Sequence, residues 1–184
     1  MEALRAGEVI GVPTDTVYSL AVIPGIVGAV ERLFTAKGRP GNVPIAVLVS
    51  SPEAAAELAA APLPRALVER HWPGALTLVV RRRPGLDWNL GGDPETIGVR
   101  CPDHELIRTL CAAVGPLATT SANRHGEPTA AAAAGVAGAL DAAHVSLVLD
   151  GGECPGTPST VVDLTGEVPV VLREGAVGED DLLV

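Results

Sequence analysis

Glu8-Val9-Ile10-Gly11-Val12-Pro13-Thr14-Asp15-Thr16 decides the fold class, because an apolar run of strand length, closed by a proline, opens at once into three polar residues. Polar side chains just past the end of a buried strand are where ligands commonly sit in sheets flanked by helices. The next periodic segment, 29–37, carries Val30, Leu33 and Phe34 at helical spacing and is stopped by Gly38 and Pro40. Further out, 44–50 reads as an apolar strand, and 52–61 and 63–72, parted by Pro62 and Pro64, read as two short surface helices. Segments 75–80 and 96–101 read as strands on either side of a Pro/Gly-rich loop at 84–94. Asp103 is placed to cap a helix with the apolar stripe Leu106, Ile107, Leu110, Cys111 and Val114, which Gly115 ends. Strand 116–120 leads into Ser121-Ala122-Asn123. An Ala-rich helix follows at about 129–140, then strands at 145–149, 160–163 and 168–173. Helices and strands alternate in the first half and strands cluster at the end. This predicts an α/β fold, a single domain over 1–184 with a twisted, mixed parallel and antiparallel sheet flanked by helices.

A chain of 184 residues, 47% hydrophobic and 19% charged, buries enough surface to fold without disulfides or metal. No apolar stretch approaches the ~20 residues of a membrane span, and the first eight residues lack a secretory pattern, so a cytoplasmic protein without membrane contact is expected. Cys101, Cys111 and Cys154 are odd in number and far apart, which fits reduced, buried thiols. A net charge of −9 argues against tight nonspecific nucleic-acid binding, which depends on basic residues displacing counterions. Tyr18, Phe34, Trp72 and Trp88 are too few aromatics for a base-stacking platform. Glu179-Asp180-Asp181 reads as a solvated end.

Phosphate-loop and dinucleotide-binding glycine motifs are absent. His71, His104, His125 and His144 are scattered, and surface or capping roles are expected for them. Four polar clusters stand out instead. Lys37, seven residues after Val30, shares the helix face of the core residues, where a charge needs a partner. A lysine reaching solvent at a helix C-terminus is the alternative. Arg39 adds a second cation there, and two cations at a helix end suit a polyanion. Thr119, Thr120, Ser121 and Asn123 follow a strand directly and form either a ligand edge or a locally capped turn. Arg100 lies in an apolar strand, either facing an edge or buried with a partner. Ser159, Thr160 and Arg173 bring similar groups to the last strands.

In order along the chain, these clusters and their neighbours resemble the YrdC-like family, whose bacterial members are threonylcarbamoyl-AMP synthases. The likeness runs through Val12-Pro13-Thr14-Asp15-Thr16-Val17-Tyr18-Ser19-Leu20, Ala36-Lys37-Gly38-Arg39-Pro40, Trp72-Pro73-Gly74-Ala75-Leu76-Thr77 and Val99-Arg100. It continues in Thr120-Ser121-Ala122-Asn123, Gly126-Glu127-Pro128-Thr129, Asp150-Gly151-Gly152, Ser159-Thr160-Val161-Val162-Asp163 and Leu172-Arg173-Glu174-Gly175. The resemblance implies a deep cavity on one face of the sheet, holding ATP beside L-threonine. Thr16, Arg100, Ser121 and Ser159 would hold threonine; Arg39, Thr96, Asn123, Thr129 and Arg173 would hold the nucleotide. Lys37 would stand between them, with Lys37, Arg39, Ser121 and Asn123 forming the catalytic set.

The resemblance further implies that bicarbonate and threonine form a carbamate, which attacks ATP to give threonylcarbamoyl-AMP and pyrophosphate, a nucleotidyl transfer that serves tRNA modification. Mg²⁺ would arrive with ATP and not on a protein site, and a monovalent cation is a further candidate. Partners implied are ATP, L-threonine, bicarbonate, tRNA and the downstream threonylcarbamoyl-transferase proteins. Ser19 departs from the family's usual glycine. Val43 and Leu48 stand where longer relatives place an asparagine and a histidine that touch ligands. With the chain ending soon after Arg173, a lid would have to come from this domain. Two other readings compete: an RNA-binding module for double-stranded RNA or tRNA without synthesis activity, and a carbamoyl-transfer domain like that of hydrogenase maturation.

Overall fold

The computed structural model describes residues 1–38, 41–123, 127–139 and 144–182. Its strands are β1 (Ile10–Val12), β2 (Ser19–Val22), β3 (Ala46–Leu48), β4 (Leu76–Arg81), β5 (Thr96–Arg100), β6 (Leu117–Ser121), β7 (Leu147–Val148), β8 (Thr160–Asp163) and β9 (Val170–Arg173). The helices are α1 (Glu2–Arg5), α2 (Ala29–Lys37), α3 (Pro52–Ala56), α4 (Arg65–His71), α5 (Glu105–Val114) and α6 (Ala133–Ala139). One sheet contains all nine strands in the order β7-β1-β2-β6-β3-β5-β4-β8-β9. The pairs β1·β7, β3·β5 and β4·β8 are parallel, and the remaining pairs are antiparallel. The mixed α/β sheet expected from the sequence is therefore the one observed.

Alternation along the strands sorts side chains onto two faces. On one face Leu20, Val22, Val47, Leu76, Leu78, Val80, Val99 and Ala118 pack with Val30, Leu33 and Phe34 of α2, Ala55 of α3, Leu67 of α4 and Val136 of α6. On the other, Ile10, Val12, Ala21, Leu48 and Leu117 pack against Leu4 of α1 and Ile107, Leu110 and Cys111 of α5. That second core stops at β3. Beyond it, on β5, β4 and β8, the same face carries Arg100, Gly98, Thr77, Val79, Val161 and Asp163, all of which line a cavity. The cavity is thus the part of this face that α1 and α5 leave uncovered.

Several elements differ from expectation. Strand β2 went unread because Tyr18-Ser19-Leu20-Ala21-Val22 follows a polar cluster and has no alternation to mark it, since it is buried on both faces between β1 and β6. The cap of α5 is His104, whose side chain makes no capping bond, while Asp103 instead accepts from Arg108 Nη1 at 3.1 Å. Leu106 is 40% exposed and so falls outside the buried stripe. The chain end at 179–181 forms a 3₁₀ turn in which Asp181 accepts from Arg70 Nη2 at 2.9 Å, so it is anchored to α4 as well as solvated. His71 Nε2 meets the carbonyl of the same residue at 3.0 Å. α6 begins later than expected, at Ala133, and Leu140, where the helix was expected to end, lies outside the described residues.

Candidate functional site

The cavity holds about 610 Å³, within the range of small-ligand pockets. Thr16, Thr96, Arg100, Ser121, Thr129, Ser159 and Arg173, all expected ligand contacts, line it together. Its lining includes the small residues Ala46 and Gly98, which pair directly across β3 and β5. Leu48 and Ser19, two departures from the family pattern, also lie on the wall.

Arg100 sits centrally in the sheet and is 5% exposed. Nη2 donates to Asp15 Oδ1 at 2.5 Å, Nη1 to Thr16 Oγ1 at 2.9 Å and Nε to Gly74 O at 2.9 Å. Asp15, itself largely buried, is the partner that a charge inside an apolar strand requires. Each Nη therefore keeps one N–H, the fork that a planar carboxylate matches. Thr14 Oγ1 donates to Val17 O at 2.7 Å and accepts from the backbone N–H groups of Thr16 and Val17 at 3.1 Å each, and Thr16 Oγ1 lies 2.9 Å from it. Thr16 Oγ1 also accepts from Arg100, which leaves it one lone pair. It presents an acceptor beside the arginine fork, the complement of an α-amino acid.

Lys37 is the only lysine in the chain. It is 4% exposed, so it does not reach solvent at the helix end. Gly38, with φ 62°, ends α2 in the left-handed conformation that glycine permits, and Lys37 Nζ turns inward. It donates to Ser121 O at 2.6 Å, Ser121 Oγ at 3.0 Å and Asn123 Oδ1 at 2.6 Å. Asn123 Nδ2 in turn donates to Glu127 O. Lys37 therefore meets the cavity wall from behind, through Ser121, and ties β6 and its following turn to α2. Arg39 and His125 lie outside the described residues.

On the opposite wall, Arg173 donates from Nε and Nη2 to Ser159 O at 3.1 and 2.8 Å, and from Nη2 to Ser159 Oγ at 3.0 Å. Gly175 lets these strands close up, because a Cβ there would come within 2.4 Å of Pro158 O and 2.5 Å of Ser159 C. Thr160 is structural: its hydroxyl donates to Val177 O at 2.7 Å.

Sequence reasoning gave no individual role to three residues that shape the cavity. Thr77, buried and facing the cavity from β4, lies 2.9 Å from Ser159 Oγ through its hydroxyl; a lone hydroxyl in an apolar strand was the available signal. Arg82 donates to Leu86 O at 3.3 Å, Trp88 O at 2.8 Å and Thr96 O at 3.0 Å, so it holds the 84–94 loop that carries the wall residues Leu90, Gly91 and Asp93. Tyr18 donates to Gly152 O at 2.8 Å and fixes the glycine-rich loop. Neither Arg82 nor Tyr18 could be paired with its carbonyl partners without the fold.

All three cysteines are buried and free. Burial pushes the Cys101 thiol up to about 11 and the Cys111 thiol up to about 12, and raises that of Cys154. They are protonated at neutral pH and so are poor nucleophiles. Among the described residues no cluster of three or more His, Cys, Asp or Glu could hold a metal ion, and no helix is long and apolar enough to cross a membrane.

A mixed sheet bearing a hydroxyl-rich cavity, with a buried arginine fork and an adjoining acceptor, defines an α/β protein whose cavity has the chemistry to match a small anionic ligand. The chain belongs to the Sua5/YciO/YrdC family, whose sequence profile, described as "Telomere recombination", matches residues 2–175. A relative from Mycobacterium tuberculosis is 40% identical over 182 residues, covering 97% of this chain and 83% of the relative. The threonylcarbamoyl-AMP synthase of Bacillus subtilis is 36% identical over 185 residues, covering 97% of this chain and 53% of the relative. The crystal structure of Pyrococcus abyssi Sua5 complexed with L-threonine matches with a TM-score of 0.91 and 35% identity, covering 98% of this chain and 54% of the other. The chain thus spans about half the length of these last two proteins.

Proposed function

We propose that this chain is an L-threonylcarbamoyladenylate synthase, a nucleotidyltransferase that joins L-threonine, bicarbonate and the AMP portion of ATP. The observation that carries the proposal is the Arg100–Thr16 pair, in which two free N–H groups lie beside one free lone pair, facing a cavity roomy enough for a second ligand. The named Bacillus subtilis relative and the threonine-bound Pyrococcus abyssi structure support it.

In this reading Arg100 takes the threonine carboxylate and Thr16 accepts from the α-amino group, with Ser121 and Ser159 completing the amino-acid side. The amine nitrogen, after losing a proton to water, bonds to the carbon of bicarbonate and water leaves, giving a carbamate. A carbamate oxygen then bonds to the α-phosphorus of ATP, and the bond to the bridging oxygen breaks to release pyrophosphate. Thr96, Asn123, Thr129, Arg39 and Arg173 hold the nucleotide. Carboxylate, carbamate and triphosphate crowd together, so preorganised positive charge is the main catalytic resource. Lys37 supplies part of it from behind Ser121 and keeps Ser121 and Asn123 fixed. In this reading Mg²⁺ is carried by the triphosphate, and a monovalent cation is part of the proposal. The product would be consumed by threonylcarbamoyl-transferase proteins acting on tRNA in the cytoplasm.

The RNA-binding reading is the weaker one. Among the described lysines and arginines, Arg81 alone makes no hydrogen bond or ion pair, so the described residues offer no free basic stripe to a phosphate backbone. The test is pyrophosphate release from ATP with each co-substrate omitted in turn. Release should require both bicarbonate and L-threonine, and equal release without an amino acid, or with alanine, would defeat the proposal.

A further inference from the structure

We infer that Thr77 and Ser159 act as one hydroxyl pair that reads the side-chain hydroxyl of the amino-acid substrate, which makes Thr77 a specificity-determining residue. The inference rests on the reading above that the cavity takes L-threonine. Thr77 and Ser159 are 3% and 5% exposed, both line the cavity, and their hydroxyl oxygens lie 2.9 Å apart. One register step beyond the pairing of Leu78 with Val99, Thr77 falls opposite Arg100 on the neighbouring strand. The pair therefore sits one interstrand spacing, about 4.8 Å, from the arginine that would take the carboxylate, within the span of one small amino acid.

Counting protons shows what the pair has left to offer a ligand. Ser159 Oγ accepts from Arg173 Nη2 at 3.0 Å, which leaves it one lone pair and one proton. Either hydroxyl can be the donor across the 2.9 Å contact, and in both cases one hydroxyl proton of the pair is left for the cavity. A ligand hydroxyl that accepts from one member of the pair and donates to the other closes a ring of three O–H···O bonds. An alkyl group in the same place leaves one buried O–H of the pair without an acceptor, a mismatch worth about ten- to a hundredfold in binding. A site built around a hydroxyl rejects the analogue lacking it much more strongly than a hydrophobic pocket rejects an extra hydroxyl. L-valine, which has a methyl where L-threonine has its hydroxyl, is thus the ligand the pair should exclude.

The experiment compares binding of L-threonine, L-valine and ATP by calorimetry, and kcat and KM by pyrophosphate release, for the unmodified chain, Thr77→Val and Thr77→Ser. Thr77→Val keeps the shape and deletes the hydroxyl. It should weaken L-threonine binding about tenfold or more, collapse the threonine-to-valine ratio by at least as much, and leave ATP binding within twofold. Thr77→Ser, which restores the hydroxyl, should recover threonine binding to within about threefold. A threonine-to-valine ratio that survives in Thr77→Val would overturn the inference, as would Thr77→Ser failing as badly as Thr77→Val, since the methyl packed near Gly98 would then be what matters. No preference for threonine over valine in the unmodified chain would instead remove the threonine reading itself, and this inference with it.

Discussion

Lys37 shows what burial does to a charged residue that looks expendable on a helical wheel. Its ammonium has three protons, and Ser121 O, Ser121 Oγ and Asn123 Oδ1 lie within bonding distance of it. Lys37→Ala should therefore lower stability by about 1–3 kcal/mol, because it strands buried acceptors. It should also reduce kcat by about 10²- to 10³-fold at saturating ATP and threonine. Lys37→Arg should rescue poorly, since a planar fork cannot replace a compact ammonium among three convergent acceptors. Turnover within threefold of the unmodified chain would make Lys37 a buttress only. The cysteines give a prediction with a definite sign. With Cys101 near 11 and Cys111 near 12 in the fold against an ordinary value of 9.0, the folded state holds thiol protons that the unfolded state releases. Stability should be fully present below pH 9 and fall between pH 9 and about 12, by up to about 1.4 kcal/mol per pH unit per thiol. Denaturant titrations at pH 8 and pH 10.5 check this, and Cys111→Ala should flatten the decline. At this scale the sequence marked Lys37 and Arg100 because a charge in an apolar pattern demands a partner. It did not identify Asp15 as that partner, because the contact joins a loop and a strand 85 residues apart.

At the scale of elements, what could be read depended on local pattern. Helix α2 declared itself through the 3.6-residue spacing of Val30, Leu33 and Phe34 and its glycine stop. Strand β2 did not, because a short strand buried on both faces lacks the apolar–polar alternation of a half-exposed one. Helix α5 was found but its cap misplaced, since Asp103 prefers the guanidinium of Arg108 to the helix amides. The junction of β8 and β9 carries its own test. Gly175→Ala would put a methyl 2.4 Å from Pro158 O and 2.6 Å from Thr160 N, backbone atoms that cannot yield without moving Ser159. The substitution should cost about 1–3 kcal/mol and weaken threonine binding more than ATP binding. Thermal unfolding and calorimetry measure the two effects separately. An unchanged threonine affinity in a destabilised protein would show that Ser159 is not held by this contact.

For the molecule as a whole, function follows from incomplete coverage of one sheet face. Helices α1 and α5 cover the part of this face around Ile10, Val12, Ala21, Leu48 and Leu117, and the cavity opens beyond them over β5, β4 and β8, with Ser19, Ala46, Thr119 and Ser121 at its edge. Small or polar residues, Gly98, Thr77, Arg100, Asp163 and Ser159, alternate there with the apolar positions of the opposite face, with Val79 and Val161 as the apolar exceptions. The interrupted apolar pattern thus records the opening in the sequence. The order of the strands and the loops that wall the cavity were not readable, because Arg82 and Tyr18 are ordinary residues until the fold brings carbonyl groups to them. The most direct measurement of the central claim is to incubate the chain with ATP, L-threonine and ¹³C-bicarbonate and identify the nucleotide product by mass spectrometry. The account predicts an adenylate carrying threonine and one ¹³C, formed with one pyrophosphate for each. Free AMP or ADP without the label, or a labelled product that forms equally well when threonine is omitted, would contradict it.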